Sequence, residues 1–158
     1  MKIVSGGQTG VDRAALDVAL ELGMECGGWC PAGRAAEDGP IDARYPLRET
    51  PSPDPAQRTE WNVRDSDATL VLTSGAASPG TELTIEAARR LRRPLYTLDA
   101  GSPEDVGAFR RWLQVHRVRT LDVAGPRESE APGIYAKATR ILVALLDGTN
   151  EHAALPRL

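Results

Sequence analysis

The run Ala68–Thr73 constrains the fold of this chain more than any other segment. Its sequence, Ala-Thr-Leu-Val-Leu-Thr, carries no charge and shows no polar alternation, which is typical of a strand buried on both faces of a parallel sheet. Shorter strand candidates lie at residues 2–5, 25–30, 95–98 and 119–123. Because parallel strands need long crossover connections, the intervals between these segments should contain helices.

Helical periodicity fills these intervals. Apolar residues recur on one face over residues 11–22, 80–92, 104–116 and 132–146, which predicts four amphipathic helices. A fifth helix is predicted to begin after Asp54 and to run to about Asp65, because an aspartate followed by proline is a typical helix start.

The alternation of strands and helices predicts an α/β fold. We expect a Rossmann-like three-layer sandwich around a mainly parallel five-stranded sheet with the strand order 2-1-3-4-5. No linker or internal repeat interrupts the pattern, so residues 1–148 are expected to form a single domain. Residues 149–158 are expected to form a loose tail.

Composition disfavours several classes of function. The net charge is −3, whereas proteins that bind nucleic acids through bulk charge are usually strongly basic. No apolar run is long enough to span a membrane, and the N-terminus lacks the apolar stretch of a signal peptide, so the cytoplasm is the expected compartment. The spacing of Cys26 and Cys30 fits neither a zinc site nor a redox pair, so we expect reduced thiols and no metal site.

The segment Gly6–Gly10, here called the first glycine loop, joins the first strand to the first helix. Its glycines allow a ligand to approach the backbone closely, and free N–H groups at a helix start favour an anion. Thr9 and Asp12 have the spacing of a capping box. The alternative is a tight turn with a helix cap and no ligand. The candidate ligand-binding residues of this loop are Gly6, Gly7, Gln8, Thr9 and Gly10.

The segment Ser74–Glu82, the second glycine loop, follows the strand at Ala68–Thr73 and also opens a helix. In the predicted strand order, the strands before the two loops are neighbours, so both loops would line one crevice at the carboxyl ends of the strands. Two converging helix N-termini favour a ligand with one or more phosphates. Taken singly, the second loop is equally well explained as a plain helix start. Its candidate ligand-binding residues are Gly75, Gly80, Thr81 and Glu82.

Residues 31–54, here called the covering segment, have no clear periodicity and contain five prolines. Connections of this length are uncommon in compact domains and are often functional. We expect a lid over the first glycine loop, with Arg34 pointing into the crevice toward a phosphate. The alternatives are a surface excursion without function and a contact between copies in a homo-oligomer.

Several motifs resemble the molybdenum (cofactor) carrier family, a YpsA-related branch of the SLOG superfamily. The similarity covers residues 2–146 and is carried by segments 6–15, 27–34, 36–41, 44–47, 58–63 and 125–129. It implies a Rossmann-like fold and carriage of a molybdopterin-type ligand. Arg13 lies within the first of these motifs, which implies that it contributes to ligand binding.

A more distant resemblance is to LOG-type nucleoside-monophosphate phosphoribohydrolases. Arg58, Ser66-Asp67-Ala68 and Gly80-Thr81-Glu82-Leu83-Thr84 follow the order of that family's motifs. Thr84, however, stands where the family has its catalytic glutamate. The resemblance therefore implies phosphate binding, with Arg58 as a ligand, more than it implies hydrolysis. If the chain is an enzyme, Arg58 and Glu60 are the fallback catalytic residues, and Trp61 beside them is a candidate flat partner for a heterocycle.

Two functions follow from these observations. The first is a binding protein, a carrier or sensor for a nucleotide-like or pterin ligand that bears phosphate and is held between the two glycine loops. The second is an enzyme that hydrolyses a nucleotide-like small molecule. The residue Thr84 favours the first, and the sequence identifies neither the heterocycle nor an accompanying metal.

Overall fold

The architecture follows the predicted alternation of strands and helices. A computed structural model describes residues 1–149. The strands are β1 (Lys2–Val4), β2 (Glu25–Gly27), β3 (Trp29–Cys30), β4 (Ala35–Ala36), β5 (Gly39–Pro40), β6 (Arg48–Glu49), β7 (Ala68–Thr73), β8 (Leu95–Asp99) and β9 (Thr120–Ala124). The helices are α1 (Val11–Glu21), α2 (Pro55–Arg64), α3 (Pro79–Arg90), α4 (Val106–Val115) and α5 (Ile134–Leu146).

The central sheet has five parallel strands in the order β2-β1-β9-β7-β8. The predicted order 2-1-3-4-5 is therefore wrong, because the fifth strand of the sheet, β9, lies between β1 and β7. Ile3 has Cys26 on one side and Leu121 on the other. The buried Ser5 hydroxyl donates to the carbonyl of Val123 at 2.8 Å and holds the end of β1 against β9. The two glycine loops consequently do not leave adjacent strands.

Helices cover both faces of the sheet. One face packs against α1, α4 and α5, and its core includes the buried side chains of Val11, Phe109 and Ile141. The other face packs against α2 and α3, where Val63 and Ala88 belong to a smaller apolar cluster. Burial on both faces explains the continuously apolar sequence of β7. The fold class is that of the sequence analysis, a Rossmann-like α/β sandwich.

The cap predicted for α2 forms, whereas the one predicted for α1 does not. Asp54 caps α2 by accepting the N–H of Ala56 at 3.0 Å, and Ser78 caps α3 by accepting from Thr81. The capping box between Thr9 and Asp12 does not form, because the capping position before α1 is occupied by Gly10, which has no side chain. Asp12 instead accepts the N–H of Gln8 at 3.3 Å.

Just before the covering segment, the predicted strand at residues 25–30 is broken into β2 and β3. The break is at Gly28, whose φ is 126° and whose added Cβ would stand 2.6 Å from the carbonyl oxygen of Ser5. Within the segment, β4 pairs with β5, and β6 pairs with β3 just before it. A separate apolar cluster beneath it contains Leu16, Cys30, Ile41, Tyr45 and Leu47. It is thus a packed unit that lies against α1.

Two further observations concern the sequence predictions. Among the described helices, none combines the length and apolar character needed to cross a membrane. The tail predicted at 149–158 lies, from residue 150 onward, outside the described residues, and Thr149 donates to the carbonyl of Leu146.

Candidate functional site

A cleft of about 120 Å³ lies at the carboxyl edge of the central sheet, where β9 ends between α2 and α3. It is the meeting point of the N-terminus of α3, the inner face of α2 and the end of β9. Its walls are both polar and apolar. The lining residues are Gly6, Gln8, Asp12, Pro55, Ala56, Arg58, Thr59, Asn62, Ser78, Gly80, Leu83, Thr84, Asp122, Val123, Ala124, Gly125, Arg127 and Glu130.

The second glycine loop opens onto this cleft. Gly80 lies in the first turn of α3, and a Cβ added there would meet no atom within 4 Å. The Ser78 hydroxyl caps the helix from the cleft side. Pro79 has no N–H, and the N–H groups of Thr81 and Glu82 donate to Ser78. The N–H of Gly80 and the positive end of the helix dipole are therefore what the N-terminus of α3 offers an anion.

The first glycine loop is closed by packing. Gly7 has a φ of 80°, and an added Cβ would stand 2.6 Å from Leu47 and 3.0 Å from Ile41 of the covering segment. Gly10 has a φ of 78°, and its Cβ would overlap the backbone of residues 126–128. These glycines are therefore required by close contacts within the protein.

The hydrogen bonds of the first glycine loop are also used internally. The N–H of Gln8 donates to Asp12, and the N–H of Thr9 donates to the Gln8 side chain at 2.9 Å. The N–H of Val11 donates to the carbonyl of Pro126 at 3.2 Å. These three N–H groups thus have partners within the chain.

The covering segment is clasped over the first glycine loop by Glu37. Its carboxylate accepts from the hydroxyl of Thr9, and from the N–H and hydroxyl of Ser129 at 3.1 and 2.6 Å. These hydrogen bonds, with that from the Ser129 hydroxyl as the largest cause, hold the pKa of Glu37 below its usual value. The neighbouring Asp38 forms an ion pair with Arg13 at 2.9 Å, which lowers the pKa of Asp38.

Arg34 organises the covering segment. Its guanidinium donates to the carbonyl oxygens of Ile41, Asp42, Tyr45 and Leu47 at 2.8–3.2 Å. The expectation that Arg34 points into the crevice is therefore corrected: its donors face its own segment, and it does not line the cleft. The segment does lie over the first glycine loop, as predicted.

The cleft floor consists of a buried group of charges. Arg58 donates to the carbonyl of Gly6 at 2.9 Å and approaches Asp12 at 3.7 Å. Asp12 and Asp122 are almost inaccessible to solvent, with 7% and 3% exposure. Burial raises the pKa of Asp12, although the charge of Arg58 opposes the shift.

Asp122 is the most strongly perturbed of these groups. Burial, reinforced by the negative charge of Asp12, raises the pKa of Asp122 to about 8. The hydroxyl of Thr69 donates to Asp122 Oδ2 at 3.3 Å but offsets little of this shift. A carboxyl group with this pKa is mostly neutral at pH 7, and perturbed groups of this kind are concentrated at functional sites.

The structure gathers only part of the predicted site. Gly6, Gln8, Arg58 and Gly80 line the cleft. Glu82 lies on another surface of α3, Glu60 forms an exposed ion pair with Arg90 at 3.0 Å, and Trp61 packs edge-on against Trp29. The other predicted residues that do not line the cleft are Gly7, Thr9, Gly10, Arg13, Arg34, Gly75 and Thr81.

The sequence analysis missed the two aspartates of the floor. Asp12 was interpreted as part of a helix cap, and Asp122 was not singled out. A signal for Asp122 was present, because it is the one charged residue in the apolar strand Thr120–Ala124. A charged side chain within an apolar strand is a candidate for burial, and buried charges need a partner or a function.

No group of three or more His, Cys, Asp or Glu residues within the described part of the chain is arranged to hold a metal ion. Cys26 and Cys30 are both free thiols. Burial raises the pKa of each thiol above its usual value, which disfavours the thiolate form.

Comparison with known proteins relates this fold to one family. The sequence model described as "Circularly permutated YpsA SLOG family" matches residues 3–146. The structure is similar to the crystal structure of a protein from Syntrophus aciditrophicus SB that is named "Putative molybdenum carrier protein", with 40% sequence identity and a TM-score of 0.87. The alignment covers 92% of this chain and 94% of that one. Among curated proteins, none matches this chain.

Proposed function

Because the chain belongs to the circularly permutated YpsA family of SLOG proteins, we propose that it is a carrier that binds a phosphate-bearing ligand of nucleotide-like or pterin type. The ligand phosphate is placed at the N-terminus of α3. One observation carries this proposal: Gly80 lines the cleft, with empty space where a side chain would be. The name of the similar protein from Syntrophus aciditrophicus supports a carrier role.

The size of the cleft is consistent with partial enclosure of the ligand. A volume of about 120 Å³ is below the range of about 300–1,000 Å³ typical of pockets that hold a whole small molecule. One group of the ligand would enter the cleft, while the rest would lie at its mouth. Leu83 is 46% exposed there, and it offers an apolar surface to a ring.

Binding without turnover is the better supported version of the function. Thr84 lines the cleft with 4% exposure, at the position where the resemblance places a catalytic glutamate in LOG-type enzymes. The fallback acid Glu60 is held outside the cleft by Arg90. We expect no release of base when the protein is incubated with nucleoside monophosphates. Turnover that survives purification and is abolished by Arg58→Ala would establish the enzymatic alternative.

A pair of substitutions at Gly80 tests the binding site. Gly80→Asp places a negative charge in the first turn of α3, where it stabilises the helix but repels a phosphate, whereas Gly80→Asn adds similar bulk without the charge. We expect Gly80→Asp to weaken binding of a nucleoside or pterin monophosphate at least tenfold more than Gly80→Asn does. Titration calorimetry measures the affinities, and thermal unfolding confirms that both variants are folded.

Native mass spectrometry of the protein purified without added ligand provides an independent test. We expect an adduct that is lost on denaturation and that contains phosphorus. Equal affinities of the two Gly80 variants for every monophosphate tested would overturn the placement of the phosphate at α3.

A further inference from the structure

Asp122 presents an unused hydrogen-bonding atom to the cleft. Its Oδ2 accepts from the hydroxyl of Thr69 at 3.3 Å, while its Oδ1 has no hydrogen-bond partner among residues 1–149. Asp122 is only 3% exposed, yet it lines the cleft. Asp122 Oδ1 is not one of the fully buried, unpartnered polar atoms of the described residues, so this acceptor is open to the cleft and can accept from a ligand group that enters it.

The charges around the cleft determine which ligand group fits. Each of the two arginines in the lining already has a carboxylate partner, Asp12 for Arg58 at 3.7 Å and Glu130 for Arg127 at 3.2 Å. The floor therefore has no spare positive charge, and Asp122 adds a further acidic group. An oxyanion would meet two carboxyl groups there, whereas N–H donors of a neutral ring would find acceptors.

Resting on the proposed function, we propose that Asp122 is a specificity-determining residue that binds the 2-amino-4-oxopyrimidine edge shared by guanine and pterin rings. This edge carries a ring N–H beside an exocyclic amino group, and a carboxylate accepts from both. Adenine presents an acceptor nitrogen at the corresponding position, and hypoxanthine lacks the amino group. The free Oδ1 of Asp122, together with its second oxygen, thus distinguishes among purines.

The remaining lining residues suit the rest of such a ligand. Leu83 and Pro55 are apolar lining residues on α3 and α2, and a flat ring packs against apolar surfaces of this kind. The phosphate then extends to Gly80 at the N-terminus of α3, away from the acidic floor. The neutral ring thus lies at the acidic floor, and the negative phosphate lies at the positive end of the helix dipole.

Accepting two N–H groups favours the ionised carboxylate, so binding of the ring should release a proton. Burial and Asp12 raise the pKa of free Asp122 to about 8, which leaves it mostly protonated at pH 7. The charged and polar groups that face it are Asp12 on α1, Arg58 on α2 and Thr69 on β7. Affinity for the ring should therefore increase from pH 7 to pH 8.5.

The test compares GMP, IMP, AMP and 6-hydroxymethylpterin monophosphate by titration calorimetry at pH 7, in two buffers that differ in ionisation enthalpy. We expect GMP and the pterin to bind at least tenfold more tightly than IMP and AMP, with net release of a proton. Asp122→Asn, which keeps the shape of the side chain, should weaken GMP binding at least tenfold and abolish the proton release. Glu86→Gln, an exposed residue on another surface of α3, is the control that should change neither.

The outcomes separate this inference from the proposed function. If all the monophosphates bind equally to the wild-type protein and Gly80→Asp weakens them all, the carrier function stands and the role of Asp122 is wrong. If none of them binds, both are wrong. If Asp122→Asn unfolds the protein, selectivity for GMP over IMP and proton release in the wild-type protein still decide the question.

Discussion

The first glycine loop is covered and clasped by residues 31–54, whereas the second glycine loop opens onto the cleft with empty space above Gly80. Both loops join a strand to a helix, and both are rich in small residues. In the first, Gly7 and Gly10 are required because the chain packs against itself. In the second, Gly80 makes no close contact that requires a glycine. The same type of sequence thus serves packing in one place and accessibility in the other.

Among substitutions within the two loops, the largest effect is expected at Gly10. Gly10→Ala introduces a Cβ that overlaps the backbone of residues 126–128, in a backbone conformation with φ of 78° that alanine rarely adopts. We expect the free energy of unfolding to fall by about 3 kcal/mol, from left-handed strain and overpacking together. Urea denaturation monitored by circular dichroism measures the change. A loss below about 1 kcal/mol would mean that the first loop is not rigidly packed.

Because Asp122 is buried in the cleft floor between the loops, the stability of the protein should depend on pH. The pKa of Asp122 is about 8 in the folded protein and near 3.8 when unfolded, so the folded state binds the extra proton between these values. Its stabilising contribution is complete below pH 3.8 and is lost as pH rises toward 8, by up to about 1.4 kcal/mol per pH unit. Asp122→Asn should remove this slope. Denaturation of both proteins between pH 5 and pH 9 tests the difference, and parallel curves would contradict it.

A smaller effect is expected at Glu37, whose hydrogen bonds hold the covering segment over the first glycine loop. Glu37→Gln keeps the size of the side chain but removes the charge that accepts from Thr9 and Ser129. Because Glu37 is exposed, we expect a loss of roughly 0.5 kcal/mol and faster hydrogen exchange at the N–H of Ser129. The pKa of Glu37 is lowered in the folded protein, so its contribution is present above its usual pKa and is lost as pH falls through the lowered value. Unchanged hydrogen exchange at Ser129 would show that the hydrogen bonds of Glu37 do not stabilise the covering segment.

The smallest effect is expected at Gly80. Gly80→Ala adds a methyl group into empty space and reduces the conformational freedom of the unfolded chain. We expect the protein to become more stable by about 0.5 kcal/mol, the opposite sign from Gly10→Ala. Differential scanning calorimetry compares the two variants. Destabilisation at Gly80 would show that the second loop is also closed, which would remove the contrast between the loops.

The sequence predicted the elements of this fold well because their signals are local. The run Ala68–Thr73, the cap Asp54 and the periodicity of 132–146 each act through neighbours in the chain, and the structure confirms a strand and two helices there. The order of the strands was not predictable in this way. Nothing in the residues of β9 specifies β1 and β7 as its neighbours, and the predicted order placed it at an edge.

The site was predicted in part for the same reason. Gly80 and Arg58 line the cleft as expected, since a helix N-terminus and a helix face follow from local sequence. Arg34 was predicted to bind a phosphate because the covering segment was expected to fold over the first glycine loop as a lid. Its four carbonyl acceptors become visible only when the covering segment is folded.

The position of β9 in the middle of the sheet has a consequence for biosynthesis. Until residues 120–124 leave the ribosome, β1 and β2 can form one pair of strands and β7 and β8 another, but the sheet lacks the strand that lies between the two pairs. Two-stranded pairs are marginally stable alone, so the sheet closes only after residues 120–124 have been synthesised. Asp122 arrives on the same strand, and the floor of the cleft is therefore completed at the moment the two halves unite. A nascent chain that lacks β9 therefore lacks the floor of the cleft.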